Sequence, residues 1–284
     1  MHFLVLAVCF SVAVSLWLRQ AAAWRLDLGQ MVLWNYAVAS VACLVVLRPR
    51  IDAQALGTLP WPLVAALGVV LPALFVIMGR AVQTGGIVRA DIAQRLSLLL
   101  SLLAAFTLFG QRVDAWQVVG LVLGLPAMLA LLARPGAAGK ARAGALPWLC
   151  AVWAGYALVD VLLKLVALHG AQFGTTLQSS FVLAFVCMGA AQAWRMARGM
   201  RVDARSLGAG VVLGLLNFAN IDFYIRAHIH LHANPAVVFA GMNLGVIALS
   251  ALLGMALLRE PTSRVNRAGI VLAALAIAAL ARAA

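Results

Sequence analysis

Ten long apolar segments, separated by short linkers, fill almost the whole of this 284-residue chain. A helix needs about 20 apolar residues to cross the hydrocarbon core of a bilayer, and each segment comes close to that length. A backbone embedded in lipid must also satisfy its own hydrogen bonds, so the predicted fold class is an all-α membrane protein. The predicted transmembrane helices cover residues 2–18, 31–47, 59–79, 87–109, 115–133, 146–168, 175–194, 206–225, 234–257 and 266–282.

The composition excludes a soluble domain. Apolar residues make up 65% of the chain and charged residues only 10%, whereas soluble domains carry about a quarter charged residues. The net charge of +13 does not indicate nucleic-acid binding, because the basic residues lie in short linkers and form no patch interleaved with aromatics. They are expected to contact lipid headgroups and to influence topology, so membrane lipids are predicted partners and nucleic acid is not.

The end of the chain repeats, with drift, a segment from its first half. Gln111 and Gly120 are matched by Glu260 and Gly269, each 149 positions later, and an apolar helix follows both copies. Weaker matches extend the duplication, at offsets of 145 for Ser15 with Asp160 and for Arg19 with Lys164, and of 146 for Arg80 with Arg226. Duplication within a membrane protein is typical of transporters built from two halves.

The parity of the helix count sets the relation between the two halves. Ten spans divide into five and five, and because five is odd the second copy must cross the membrane in the opposite sense. We therefore predict two inverted five-helix repeats around a central cavity. Residues 1–134 would form the first repeat, 135–145 the connecting loop and 146–284 the second repeat.

Acidic and basic residues inside the predicted helices are the main candidates for function. At a spacing of four, two side chains share one helix face and can neutralise each other, and an unpaired charge in hydrocarbon costs about 3 kcal/mol or more. For the first two pairs below we favour a substrate-binding or gating role, while the third is equally compatible with a structural pair at the membrane interface. The pairs are Asp91 with Arg95, Asp160 with Lys164, and Asp222 with Arg226.

Three further polar residues are substrate-binding or gating candidates. Asn217 and Asn220 lie nearly a helical turn apart in the middle of the eighth predicted span, where they could bridge helices or bind a solute. Arg19 ends the first span, at the mouth that also holds Asp91 and Arg95. Charged residues thus stand at both mouths of the predicted cavity and form two charged collars, one around Arg19 and one around Lys164. Their basic excess would attract an anionic or zwitterionic solute.

No metal, cofactor or enzyme signature is predicted. The four cysteines form no CxxC pair. His228, His230 and His232 alternate after the eighth span, but no cysteine or acidic ligand stands at a useful spacing for a metal site. The sequence contains no nucleophile elbow, phosphate-binding loop or zincin motif.

Several short motifs resemble the drug/metabolite transporter superfamily, in its EamA branch. Leu257-Leu258-Arg259-Glu260 through Gly269 is similar to the family segment between the last two helices, and Ile92 to Ser97 resembles part of its fourth helix. Arg19 and Lys164 stand where many members carry a basic residue. Gln111 departs from the pattern, because the family often has Glu there. The resemblance implies a ten-helix metabolite exporter in which Glu260 and its counterpart Gln111 have a structural role.

These observations predict a secondary transporter, an exporter of a small polar or zwitterionic metabolite such as an amino acid. It would work by alternating access in a bacterial-type inner membrane, with protons as a candidate coupling ion. Two alternatives stay open: an integral membrane enzyme or flippase acting on lipid-linked substrates, and a non-transporting membrane subunit. Orientation is also open, because the distribution of basic residues places both termini outside whereas the resemblance places them inside.

Overall fold

The computed structural model describes residues 1–111, 114–132, 144–169, 172–258 and 263–282, and all regular secondary structure in these ranges is helical. The bounds of the eleven helices in those ranges are α1 His2–Ala23, α2 Leu28–Leu47, α3 Ala53–Gly57, α4 Trp61–Gly85, α5 Ile87–Thr107, α6 Ala115–Leu132, α7 Ala145–Leu168, α8 Phe173–Ala197, α9 Ala204–His230, α10 Pro235–Leu258 and α11 Arg264–Arg282.

The all-α membrane fold predicted from the sequence is confirmed. Within the described ranges nine helices are long and apolar enough to cross a bilayer, and α6 provides a shorter tenth. The one helix that was not predicted is α3, which has five residues and begins where Asp52 Oδ1 accepts a hydrogen bond from the backbone N–H of Ala55, 2.7 Å away. The predicted connecting loop, 135–145, lies almost wholly outside the described residues.

The long helices alternate in direction, which defines two faces of the protein. Face A carries the start of α1 and the ends of α2, α5, α7 and α9. Face B carries the ends of α1, α4, α8 and α10. Gly86 alone separates α4 from α5 at face B, with φ of 86°, a left-handed value that side chains with a Cβ avoid.

The helices contact one another in pairs that the sequence repeat relates. Helix α2 packs against α9, and its counterpart α8 packs against α4, the counterpart of α9. In the same way α1 packs against α9 and α10, as α7 packs against α4 and α5. The fifth helices of the two predicted repeats, α6 and α11, pack against each other. The shared core lies between these pairs, and its largest fully buried apolar side chains include Tyr36, Leu67, Phe181, Leu213 and Phe239.

Glycine allows a close approach of backbones between α2 and α9. A Cβ atom added to Gly210 would lie 2.6 Å from the carbonyl oxygen of Met31, and one added to Gly214 would lie 2.8 Å from that of Asn35. Such approach of backbones replaces the hydrophobic effect as the source of helix association in lipid. The spacing of four between these glycines therefore marks a contact face.

Candidate functional site

Helices α5, α7 and α9 bring together most of the predicted charged residues. The indole Nε1–H of Trp153 in α7 donates a hydrogen bond to the carbonyl oxygen of Leu96 in α5, at 2.9 Å, which ties these two helices at mid-depth. Asp91 and Arg95 lie in the half of α5 nearer face B. Asp160 and Lys164 lie in the half of α7 nearer face A.

Asp91 and Arg95 form the ion pair that their spacing predicts. Arg95 Nε lies 3.6 Å from Asp91 Oδ1, which is too long for a good hydrogen bond, and this N–H has no hydrogen-bond partner within the described residues. The Arg95 side chain is only 9% exposed, whereas that of Asp91 is 46% exposed. The nearly buried guanidinium of Arg95 therefore has an N–H free to bind another acceptor, and the more accessible carboxylate of Asp91 lies beside it.

Arg95 lies where α5 packs beside α7. The hydrogen bond from Trp153 of α7 reaches Leu96, the next residue along α5. Tyr156 and Asp160 are one turn apart on α7, and both remain partly accessible although they lie within the bundle. Asp91, Arg95, Tyr156 and Asp160 therefore follow one another from face B toward face A on the neighbouring helices α5 and α7, and we call this series of residues the polar route.

Asp160 is held by hydroxyl groups from two other helices. The hydroxyl of Ser101 in α5 donates a hydrogen bond to Oδ2 at 2.7 Å, and that of Tyr224 in α9 donates one to Oδ1 at 2.8 Å. We call Ser101, Asp160 and Tyr224 the polar knot. It joins α5, α7 and α9 in the half of the bundle nearer face A.

The predicted pairing of Asp160 with Lys164 is wrong. Lys164 is almost fully buried, and its ammonium donates a hydrogen bond to the carbonyl oxygen of His232, 3.1 Å away, just after the end of α9. Carbonyl groups at the C-terminus of a helix attract cations, and both oxygens of Asp160 already accept hydrogen bonds from hydroxyls. The two side chains therefore take separate partners, and each links α7 to the α9 region.

The three alternating histidines have different surroundings. His228 is fully buried between the rings of Tyr224 and Phe239, with ring centroids 4.8 and 5.0 Å away. His230 instead packs against Phe3, at 4.7 Å. Across the described ranges, no group of three or more His, Cys, Asp or Glu side chains is placed to hold a metal ion.

The remaining candidates lie away from the polar route. Asn220 Nδ2 donates a hydrogen bond to the carbonyl oxygen of Ala7 at 2.8 Å, so this amide bridges α9 to α1, the simpler of the two predicted roles. Asn217, nearly one turn earlier on α9, is half-buried. Arg19 is exposed at the face-B end of α1, a helix that packs against α9 and α10. The third predicted pair forms, with Arg226 Nε 2.8 Å from Asp222 Oδ2.

Gln111 makes a structural contact between the two halves. Its side-chain oxygen accepts a hydrogen bond at 2.8 Å from the backbone N–H of Ala236 in the first turn of α10. Gln117 in α6 makes a second tie at 3.1 Å to Asn234, just before α10. This geometry supports the structural role that the resemblance implies for Gln111, while its counterpart Glu260 lies outside the described residues.

A second polar cluster, which we call joint B, binds the α1–α2 turn to the end of α8 at face B. The sequence analysis did not predict it. Both Asp27 oxygens accept hydrogen bonds from Arg195, at 2.9 and 2.6 Å, and Oδ1 also accepts one from the backbone N–H of Gln30. The hydrogen-bonded guanidinium lowers the pKa of the Asp27 carboxyl. Gln30 continues the cluster, donating to the carbonyl oxygen of Arg201 at 2.9 Å and accepting from the Asp203 N–H at 2.8 Å.

The repeat places an equivalent cluster, joint A, at face A. Gln172 and Thr175 stand 145 positions after Asp27 and Gln30. Gln172 Nε2 donates to the hydroxyl of Thr58 at 3.2 Å, and the hydroxyl of Thr175 donates to the carbonyl oxygen of Arg50 at 3.1 Å. Asp52 caps α3 as Asp203 caps α9, completing joint A.

Sequence reasoning missed Ser101, Tyr156 and Tyr224 in the site and Arg195 in joint B. Uncharged hydroxyls in apolar helices carry no signal of their own, since the same residues also occur on lipid-facing or packed surfaces. Asp27 and Arg195 are 168 positions apart, and no local spacing relates them. Only the position of Asp27 directly before an apolar run, where a helix cap is expected, could have drawn attention to it.

The chain is similar to known proteins along its length. The model of a family described as the EamA-like transporter family matches residues 1–133. An uncharacterized protein of Haemophilus influenzae is 38% identical over 286 residues, covering 98% of this chain and 96% of that protein. A protein of known crystal structure has a TM-score of 0.70, with 17% sequence identity over 98% of this chain and 94% of the other. At that identity the last comparison shows a shared fold alone.

Proposed function

The chain belongs to the EamA-like transporter family, and from that premise we propose that it carries a small zwitterionic metabolite, such as an amino acid, across the membrane. One observation carries this proposal. Arg95 and Asp160, of opposite charge, lie on α5 and α7, which the Trp153–Leu96 and Ser101–Asp160 hydrogen bonds hold side by side. A molecule with a carboxylate and an ammonium group would complement both residues.

Arg95 is suited to bind the carboxylate of the solute. The guanidinium group is planar and presents its N–H groups in a fork that matches a carboxylate. Its Nε–H makes no hydrogen bond within the described residues, and Asp91 approaches it only to 3.6 Å. Asp91 would therefore act as a recognition partner that holds the guanidinium until a solute carboxylate replaces it.

Asp160 is suited to bind the ammonium group. Each of its oxygens accepts one hydroxyl hydrogen bond and keeps a further acceptor site for an N–H donor. Hydrogen bonds between two charged groups are about twice as strong as neutral ones. Tyr156, one turn away, would cover the apolar part of the solute between the two ends.

Transport would follow from movement of the two halves about this site. We propose that residues 1–134 and 146–284 rock against each other and expose the solute first at one face and then at the other. Arg19 would belong to the charged collar at face B and Lys164 to that at face A, whereas Asn217 would stand outside the solute site. Export, coupling to protons through Asp160, and a bacterial inner membrane complete the proposal; the Haemophilus relative supports a bacterial setting.

A flux assay tests this function directly. Liposomes that contain the purified protein and are loaded with the twenty standard amino acids should release at least one of them faster than protein-free liposomes with the same load. Mass spectrometry measures the release. Arg95→Gln should reduce that flux by about 10- to 100-fold, because it removes a hydrogen bond between charged groups. Arg95→Lys should keep part of the flux, because the charge stays and the fork is lost.

Arg80→Gln is the matched control. Arg80 is exposed at the face-B end of α4, and its guanidinium lies 6.0 Å from the ring centroid of Trp148. The same substitution there should leave flux unchanged. Equal flux for the wild type and Arg95→Gln would remove Arg95 from the site. Absence of flux for every amino acid would show that the proposed class of solute is wrong.

A further inference from the structure

The polar knot joins the two repeats near face A, and among the described residues the repeat-related positions near face B do not form a second one. At the repeat offsets of 149, 145 and 146, the positions of Ser101, Asp160 and Tyr224 correspond to Ser250, Ser15 and Met78. The Ser15 hydroxyl donates to the carbonyl oxygen of Ser11 in its own helix, at 3.0 Å, and Ser250 is exposed. Met78 has no hydroxyl to donate. The two mouths therefore share a helix arrangement, but in the part of the chain that the structure describes this carboxylate-centred link lies near face A and is not repeated at the related positions near face B.

The link depends on a single carboxylate. Ser101 belongs to α5 and Tyr224 to α9, and both hydroxyls donate to Asp160 of α7. Hydrogen bonds to an ionised acceptor are stronger than those between neutral groups. A cation that binds Asp160 would neutralise the carboxylate and so weaken both hydroxyl hydrogen bonds, which hold α5 and α9 to α7 near face A.

The proposed solute carries such a cation. An ammonium group has three N–H donors and a positive charge, whereas each hydroxyl has one donor and no charge. An ammonium at Asp160 would satisfy both oxygens and neutralise the carboxylate. A neutral amide would do neither.

We propose that Ser101 and Tyr224 compete with the ammonium group of the solute for Asp160, so that binding of the solute itself opens the face-A mouth. The inference rests on the proposed function, whose site it shares. It makes the two hydroxyls specificity-determining: a solute without a free ammonium group leaves the knot intact and the mouth closed. The hydrogen bond between Lys164 and the His232 carbonyl also joins α7 to the end of α9 near face A.

Distances between spin labels at the two mouths test the proposal. Labels on His169→Cys and Ala233→Cys, exposed residues just after α7 and α9, report on the face-A mouth. Labels on Arg25→Cys and Thr84→Cys report on face B. The native cysteines Cys9, Cys43, Cys150 and Cys187 are first replaced by alanine. Double electron–electron resonance then gives the distribution of open and closed states.

Tyr224→Phe removes one hydroxyl of the knot and should increase the ratio of open to closed states at face A by about tenfold, without any solute. Ser101→Ala should act in the same direction. Tyr36→Phe is the matched control, because that buried hydroxyl has no hydrogen-bond partner within the described residues and its loss should change nothing. A face-A distribution for Tyr224→Phe that equals the wild type, with a melting temperature showing a folded protein, would overturn the proposal.

The solute arm uses two matched mixtures. The twenty standard amino acids should shift the wild type toward the open state at face A, while their N-acetylated forms, which keep the carboxylate and lose the ammonium, should not. An equal shift by both mixtures would overturn the competition. The two hypotheses can fail separately. If no amino acid shows flux but Tyr224→Phe opens face A, the proposed class of solute is wrong and the polar knot is still a gate. If Arg95→Gln abolishes flux but Tyr224→Phe leaves face A closed, the solute site is supported and the polar knot is not a gate.

Discussion

Joint B and joint A occupy corresponding places in the two halves, yet they are built from different chemistry. Both bind a helix-initiating turn to the loop that follows a neighbouring helix, and both use a side chain that donates to an arginine carbonyl oxygen, Gln30 to Arg201 and Thr175 to Arg50. Joint B adds the two-fold hydrogen-bonded pair of Asp27 with Arg195, whereas the equivalent Gln172 makes one neutral hydrogen bond.

The difference arises from the residue that begins the helix. Arg195 and Arg50 stand at repeat-related positions, 145 apart, so an arginine is present in both joints. Asp27 accepts two hydrogen bonds from Arg195, whereas the equivalent Gln172 carries no charge to pair with an arginine. The comparison teaches that the repeat preserves hydrogen bonds directed at the backbone, while the charged contacts at the two faces diverged.

The same contrast continues into the helix contacts beneath each joint. Gly214 of α9 packs against Val38 of α2, and the corresponding Gly68 of α4 packs against Leu183 of α8. A Cβ on Gly214 would meet the backbone oxygen of Asn35 at 2.8 Å, whereas one on Gly68 would meet only side-chain atoms of Leu183. The contact below joint B is therefore less able to relax.

Gly214→Ala should have the largest effect on this comparison. The added methyl group must displace backbone, so we expect the free energy of unfolding to fall by about 3 kcal/mol. Gly68→Ala should cost about 1 to 2 kcal/mol, because part of the Leu183 side chain can change rotamer. Unfolding in mixed micelles, followed by circular dichroism, measures both. Equal losses would show that the two contacts are equally rigid.

Asp27→Ala should have the next largest effect, because it removes the cap of α2 together with the partner of Arg195. We expect a loss of about 2 kcal/mol in the free energy of unfolding. Gln172→Ala, at the equivalent position of joint A, should cost no more than about 0.5 kcal/mol. Melting temperatures in detergent compare the two, and a larger drop for Gln172→Ala would reverse the proposed ranking of the joints.

Gln30→Ala should cost about 1 to 2 kcal/mol, because Gln30 is buried and its loss leaves the Arg201 carbonyl and the Asp203 N–H without their partner. Thr175→Ala should cost about 1 kcal/mol, because only one hydrogen bond is lost. The same unfolding assay applies. If Thr175→Ala proved the costlier change, the backbone-directed hydrogen bonds of the two joints would not be equivalent.

Arg195→Gln should have a smaller effect, below about 1 kcal/mol, because the pair with Asp27 is partly exposed and the cap remains. The difference between this variant and the wild type should shrink as salt is added, since screening weakens exposed pairs. A difference that did not change between low and high salt would mean that packing of Arg195 matters more than its charge.

The pH dependence of stability should be the subtlest difference between the joints. Because Arg195 lowers the pKa of Asp27 below its ordinary value of 3.8, the folded state is stabilised above that value and loses this stabilisation as pH falls through the lowered pKa. Joint A has no titrating group at the equivalent position. Wild-type melting temperature should therefore fall more steeply below pH 3.8 than that of Asp27→Asn. Parallel curves of melting temperature against pH for the two proteins would contradict the lowered pKa of Asp27.

The sequence predicted the helices well, because crossing a bilayer demands long apolar runs and leaves little choice of structure. It also predicted the pairs Asp91 with Arg95 and Asp222 with Arg226, which depend only on spacing within one helix. The short helix α3 was missed, because five residues in a linker leave no periodic pattern.

The sequence could not predict contacts between helices. Asp160 and Lys164 have the same spacing as the two pairs that form, but each bonds to groups that the packing brings close, two hydroxyls for Asp160 and the His232 carbonyl for Lys164. Asn220 likewise bonds to a backbone oxygen of α1 that no pattern in its own helix could indicate. The outcome depends on which groups the packing brings within about 3 Å, and that is a property of the assembled bundle.

Gly86 gives the hairpin of α4 and α5 a pivot of a single residue. A hinge with no connecting loop has no slack, so any tilt of one arm must be taken up by the torsion angles of that residue or transmitted to the other arm. Ser101 sits far along one arm and Gly68 along the other. A small change in the torsion angles of Gly86 at face B would therefore displace the distant ends of α4 and α5 at face A by a larger distance.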